Sequence, residues 1–172
     1  MPAIDWTCGW CSKGVAADPT WQGGPNNGRT LLACPNCNKP TVRDETGTYY
    51  PGSRAYASVG HLPADVNTAW EEAVACATVG AHTAAEVMCR KILMHVAVDQ
   101  AGSTPGQNFV QYIDDLDKDG FISKGLKPKI DEIRQRGNVA NHELPASTHE
   151  DADKTLAVTR HLLVSIYELP NT

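Results

Sequence analysis

A chain of 172 residues can hold one ordinary domain, or one domain with a small appendage. With 41% hydrophobic and 20% charged residues it has the composition of a globular protein able to bury a core, and no segment is polar enough to be read as disordered. The formal net charge of -5 excludes a general binder of phosphate backbones, because that affinity comes from cationic side chains releasing counterions, so any nucleic-acid role must rest on a local patch.

The first ten residues, Met1 to Trp10, lack the basic start, apolar run and small-residue cleavage site of a secretory signal. The longest apolar stretch, Ile92 to Val98, is interrupted by His95 and falls far short of the ~20 residues that a bilayer demands. A cytoplasmic location with no membrane partner is expected, and it disfavours disulfides.

Four of the six cysteines form two pairs, Cys8-Gly9-Trp10-Cys11 and Cys34-Pro35-Asn36-Cys37, separated by 22 residues. A C-x-x-C turn points two thiolates to one side at ~2.3 Å from a metal, and two such turns complete a tetrahedron with no open position. The spacing therefore predicts a structural Zn²⁺ on Cys8, Cys11, Cys34 and Cys37. Gly23 to Gly28 read as a hairpin tip, Arg29 to Ala33 as a short strand and Thr46 to Tyr50 as another. So small a segment has too little apolar surface to fold alone, and zinc binding supplies the missing energy. The rival, a pair of redox-active C-x-x-C motifs, lacks the βαβ pattern in which such motifs usually sit. Residues 1–57 are accordingly read as a zinc ribbon, followed by a helical bundle over 58–172.

From Pro63 the apolar period becomes helical. Val66, Ala69, Trp70, Ala73, Cys76 and Ala77 form one stripe closed by Gly80. A second helix, Thr83 to Gln100, should turn Val87, Met88, Ile92 and Val96 inward, with Cys89 as a small core hydrophobe. A third runs from Phe109 to Asp117. A fourth runs from Leu126 to Arg136, interrupted at Gly137. A fifth starts near Ser147 or Thr148, with Glu150 and Asp151 in its first turn, and stops at Pro170. Five short-linked helices make a bundle.

Between the third and fourth helices, Asp115-Leu116-Asp117-Lys118-Asp119-Gly120 reproduces the opening of a calcium-binding loop. The twelfth position, where a bidentate carboxylate is required, is Leu126. An acidic helix end followed by a glycine turn accounts for the same residues.

The stretch Arg136-Gly137-Asn138-Val139-Ala140-Asn141-His142 carries the chemistry that bears most directly on function. A neutral His can move a proton to and from hydroxyl oxygens while an Arg stabilises charge on a phosphate, and together they suffice for RNA cleavage by the RNA's own 2′-hydroxyl, leaving a 2′,3′-cyclic phosphate. Asn138 and Asn141 would position the substrate. Lys124, Lys127, Lys129 and Arg134 form a basic approach, opposed by Asp131 and Glu132. On an unbroken helix, six residues at about 100° each put Arg136 and His142 about 120° apart. A break at Gly137 or a two-fold dimer would bring them together. The purely structural account has Arg136 at a helix C-terminus, the asparagines bonding loop backbone and His142 joining two helices. Glu86, Arg90 and Lys91 could reach the same cleft, but ion pairing at helical spacing on the surface accounts for them too.

Taken together, the Ala84-Ala85-Glu86-Val87-Met88-Cys89-Arg90-Lys91-Ile92-Leu93 stretch, the Gly-Asn-x-x-x-His run and the closing Ile166-Tyr167-Glu168-Leu169-Pro170 resemble the HEPN superfamily, and within it the prokaryotic family DUF4145, whose members often carry an N-terminal double C-x-x-C ribbon. The resemblance implies a mainly α fold, a five-helix HEPN-like bundle preceded by a small β zinc ribbon. It also implies a homodimer and metal-independent RNase activity in toxin, anti-phage or RNA-processing systems. The superfamily pattern, Arg, four to six residues, then His, is met by Arg136 and His142, although Gly137 stands where a polar residue is commoner. Two functions follow: an HEPN-type endoribonuclease or RNA-binding protein, or a non-catalytic adaptor docking a partner protein of a defence system or a nucleic acid.

Overall fold

The computed structural model describes residues 2–23, 27–53, 56, 58–139 and 146–172, with 136–139 given as helical backbone only. The chain divides into two compact units, Met1–Ala57 and Ser58–Thr172.

The first unit is built from short antiparallel strands. β1 (Ile4–Thr7) pairs with β2 (Gly14–Ala17) so that Trp6 faces Val15. A second sheet has the order β3 (Trp21–Gln22), β4 (Thr30–Ala33), β5 (Pro40–Arg43), β6 (Tyr49–Tyr50). Each C-x-x-C pair occupies the turn of a hairpin, Cys8–Cys11 between β1 and β2 and Cys34–Cys37 between β4 and β5. The strand expected over Thr46–Tyr50 is reduced to Tyr49–Tyr50. Asp44 Oδ1 accepts hydrogen bonds from the Thr46 and Thr48 amides, both at 2.9 Å, and Gly47 at φ +91° completes a turn instead. The core of this unit is Trp6, Cys8, Leu32 and Cys34, with Ile4, Val15, Ala17 and Tyr49 packed around them.

The second unit contains five helices: α1 (Ala64–Thr78), α2 (His82–Gln100), α3 (Phe109–Lys118), α4 (Lys127–Val139) and α5 (His149–Leu163). The chain continues from α5 into a π-helical turn, Val164–Glu168, and a 3₁₀ turn, Leu169–Asn171. Helix α2 is central and packs against α1, α3 and α5. Its buried side chains are Ala85, Glu86, Cys89, Ile92, Leu93, Val96 and Ala97. Asn108 and Thr148 start α3 and α5 with reciprocal capping boxes, with Gln111 and Asp151 as the returning partners.

Two expectations are corrected, and the reading of the acidic run as a helix end and turn holds. Val87, expected inward, is 56% exposed, while its neighbour Glu86 is 5% exposed. Ile92 and Val96 are buried as expected, and the buried side of α2 also takes in Glu86, Cys89, Leu93 and Ala97. Helix α4 is not interrupted at Gly137 but continues to Val139. Asp115 and Asp117 belong to the last turns of α3, followed by Gly120 at φ +81°, so the acidic run is a helix end and a turn. Among the described residues no helix is long and apolar enough to cross a membrane.

Candidate metal centre

The two C-x-x-C turns share one backbone geometry. In the first, the Cys8 amide donates to the Lys13 carbonyl at 2.9 Å and the Ser12 amide returns to the Cys8 carbonyl at 2.8 Å; in the second, Cys34 and Asn38 repeat this with Lys39 at 3.0 and 2.8 Å. Ser12 and Asn38 both take positive φ, +58° and +56°, which closes each turn. Gly9 is required inside the first: a side chain there would run into the carbonyl oxygens of Pro51 and Gly52.

The two turns meet, and the ligand atoms of Cys8, Cys11, Cys34 and Cys37 all lie within 4.8 Å of one another. Two edges of the cluster, Cys8 Sγ to Cys37 Sγ and Cys11 Sγ to Cys34 Sγ, measure 3.8 Å. Cys8 and Cys34 are fully buried and Cys11 and Cys37 half-buried, so the set opens to solvent on one side only. None of the four is in a disulfide. The Cys8 and Cys11 thiols are shifted in opposite directions. Burial pushes Cys8 up to about 12, whereas the Lys13 amide and then the Asn36 side chain, whose Nδ2 lies 3.4 Å from the sulfur, bring Cys11 down to about 6. These amide donors are the contacts that stabilise sulfur when it carries negative charge. Four convergent sulfurs with amide donors around them form a site able to hold a metal ion.

The residues proposed for chemistry in the helical unit fall into two groups. Asn141 and His142 lie outside the described residues, and Arg136 and Asn138 are placed by the α4 backbone alone. Glu86 and Arg90 are described, and they are not the surface pair that helical spacing implies. The buried Glu86 carboxylate accepts from Arg90 Nη2 at 3.2 Å, from Ser147 Oγ at 2.6 Å and from Thr155 Oγ1 at 3.4 Å. Arg90 also reaches the Ile133 carbonyl on α4 at 3.4 Å and lies 5.6 Å from the centre of the Phe109 ring. This cluster joins α3, α4 and α5 to α2. Its signal in the sequence was the position of Glu86 in line with Leu93 and Ala97. Lys91, by contrast, is exposed and lines an open groove between α1 and α2.

Two of the four cations of the basic approach are held by carboxylates. Lys127 is paired with Asp117, and Arg134 Nη1 lies 3.2 Å from Asp114 and 3.1 Å from Asp131. Lys124 and Lys129 are exposed. Asp131 was already read as opposing this patch, whereas the pairing with Asp114 and Asp117 was hidden because it depends on how α3 and α4 come together.

Neither the curated proteins nor the solved structures gave a match to this chain. The family described as "Domain of unknown function (DUF4145)" matches residues 71–172. That span is more than half of the sequence and runs from the middle of α1 to the last residue, and the chain therefore belongs to the DUF4145 family.

Proposed function

We propose that this protein is a non-catalytic adaptor, a helical bundle carrying a ribbon folded around a structural Zn²⁺, which docks a partner protein. For the metal, the supporting observation is the sulfur spacing. Four sulfurs at ~2.3 Å from a tetrahedral ion stand about 3.8 Å apart, and two edges of the cluster have this length before any ion is added. With four thiolates the ion has no position left for substrate, so its role is to hold the two hairpins together.

For the adaptor, the carrying observation is the pairing of Lys127 and Arg134 with Asp114, Asp117 and Asp131. Cations held by carboxylates release few counterions to a phosphate backbone, so the pairing of Lys127 and Arg134 removes about half of the charge that the approach to the Arg136 region would offer RNA. The groove between α1 and α2 is better suited to a protein: about 430 Å³, floored by Val66, Ala69, Met88 and Ile92 and rimmed by Glu72 and Lys91.

A second reading is a metal-independent ribonuclease of the HEPN type, in which His142 moves the proton, Arg136 stabilises the phosphate and Asn138 or Asn141 positions the substrate. It is favoured by one observation, the hydrogen bond from Arg90 to the Ile133 carbonyl, which ties the buried Glu86 cluster to α4 one turn before Arg136. Incubating the purified protein and its His142→Ala variant with single-stranded RNA separates the two. The adaptor gives intact RNA with both and no slowing of host growth on expression. Cleavage to 2′,3′-cyclic ends by the wild type alone would establish the ribonuclease and end the adaptor reading.

A further inference from the structure

Helices α2 and α5 begin side by side. The Ser147 amide donates to Thr83 Oγ1 at 3.0 Å and Ser147 Oγ donates to the buried Glu86 carboxylate at 2.6 Å, which fastens the approach to α5 onto the first turns of α2. Thr148 then starts α5 through its capping box with Asp151. The first residue of each helix is a histidine, His82 on α2 and His149 on α5. Held in this way, the two imidazoles meet with ring centres 5.2 Å apart and planes inclined at 58°. His149 is exposed and His82 half-buried. Within the His82 ring, Nδ1 is shut off from solvent and has no hydrogen-bond partner among the described residues. A ring nitrogen that has left water without gaining a partner carries the full cost of its desolvation. A ring-to-ring contact does not relieve that cost, whereas a ligand shared by both imidazoles would.

We propose that His82 and His149 together bind a divalent transition-metal ion, at a second metal site that lies in the helical unit and uses none of the cysteines. Two imidazoles that ligate one tetrahedral ion at ~2.1 Å have their ring centres about 5 Å apart, and the pair already stands at this separation. Imidazole nitrogen suits Zn²⁺, Ni²⁺ and Cu²⁺, while Ca²⁺ and Mg²⁺ take oxygen ligands. With two protein ligands the ion keeps water in its other positions, on the open side beside His149. It is therefore exchangeable, unlike an ion enclosed by four thiolates. The positive ends of two helix dipoles oppose a cation here, and Glu150 and Asp151 in the first turn of α5 offset them. Because its ligands come from two helices, the ion clamps the start of α2 to the start of α5. Only the folded helical unit offers both rings at once, so metal binding stabilises that unit. This inference goes beyond the adaptor reading and stands whether or not that reading does.

Titration of the full chain with Ni²⁺ tests it, with zinc released to solution measured throughout to show whether Ni²⁺ enters the cysteine site instead. The wild type should take up one Ni²⁺ per chain and release no zinc. Its denaturant midpoint, followed by helical ellipticity at 222 nm, should rise as the Ni²⁺ concentration rises. His149→Asn, at an exposed position where the fold does not depend on the ring, should weaken uptake at least about tenfold and abolish the rise in midpoint. His82→Asn should do the same. His161→Asn, at an exposed histidine in the last turn of α5, should change neither. A wild type that takes up no Ni²⁺, uptake that is unchanged in H149N, or uptake wholly matched by released zinc would each overturn the proposal.

Discussion

Cys8 and Cys37 stand 29 positions apart in the chain and hold their sulfurs 3.8 Å from each other. The contact joins the β1–β2 hairpin to the β4–β5 hairpin, and each hairpin is only four residues deep on either strand. Hairpins of this size are marginal alone. The unit therefore depends on whatever binds its sulfurs.

Removing the metal should unfold this unit and leave the other standing. Three of the four tryptophans, Trp6, Trp10 and Trp21, lie in the ribbon, whereas the five helices lie beyond it. A strong chelator is expected to shift tryptophan emission to the red, because Trp6 leaves its buried site, while helical ellipticity at 222 nm is kept. Loss of both signals together would mean that the helical unit also needs the metal.

The Glu86 cluster predicts a large stability effect from one carboxylate. Glu86→Ala would leave Arg90, Ser147 and Thr155 without their shared acceptor in a largely buried setting, and breaking a buried pair in this way costs about 3–5 kcal/mol. Thermal unfolding of the helical unit should show it. Glu86→Gln, which keeps an acceptor oxygen, should lose less. A surface ion pair would have cost under about 1 kcal/mol, so a small effect would return Glu86 to the surface role that its spacing implied.

The buried thiol on α2 predicts how stability falls in alkali. Burial holds Cys89 protonated up to about 12, against an ordinary value of 9.0, and Tyr167 is likewise raised by burial and by Asp99 to about 12 from 10.0. Unfolding releases both to their ordinary values. Between pH 9 and 12 the unfolded chain therefore binds fewer protons than the folded one, and stability is lost as pH rises through that window. The Cys89 share approaches roughly 4 kcal/mol at its upper end. Denaturant midpoints of the helical unit should decline steadily above pH 9, and Cys89→Ala should flatten the decline. A wild-type midpoint that is level from pH 9 to 11 would contradict this.

The long apolar periods made the helices legible: α2 and α3 follow their sequence signals to within a residue at most ends, because Gly102 and Asn108 mark where helix must stop or begin. The strands were mostly missed. β1, β2, β3 and β5 run for two to four residues, so there is too little alternation to read. The cysteine cluster was legible because metal chemistry fixes spacing within a turn. Glu86 was misread because helical spacing alone cannot tell an exposed i,i+4 pair from one that α5 covers through Thr155. Asp117 and Asp114, which face Lys127 and Arg134 from α3, were hidden because their pairing depends on how two helices meet.

Native mass spectrometry of the intact protein tests the central claim most directly, because one mass distinguishes a bound metal from free thiols and from disulfides. Zn²⁺ predicts a chain mass increased by one zinc and reduced by two hydrogens, the charge balance for a divalent ion, with the mass of the bare chain and its four free thiols returning when acid releases the ion. The mass of the bare chain, or of the chain short of two or four hydrogens with no metal, would mean free thiols or disulfides at Cys8, Cys11, Cys34 and Cys37 and would contradict the account.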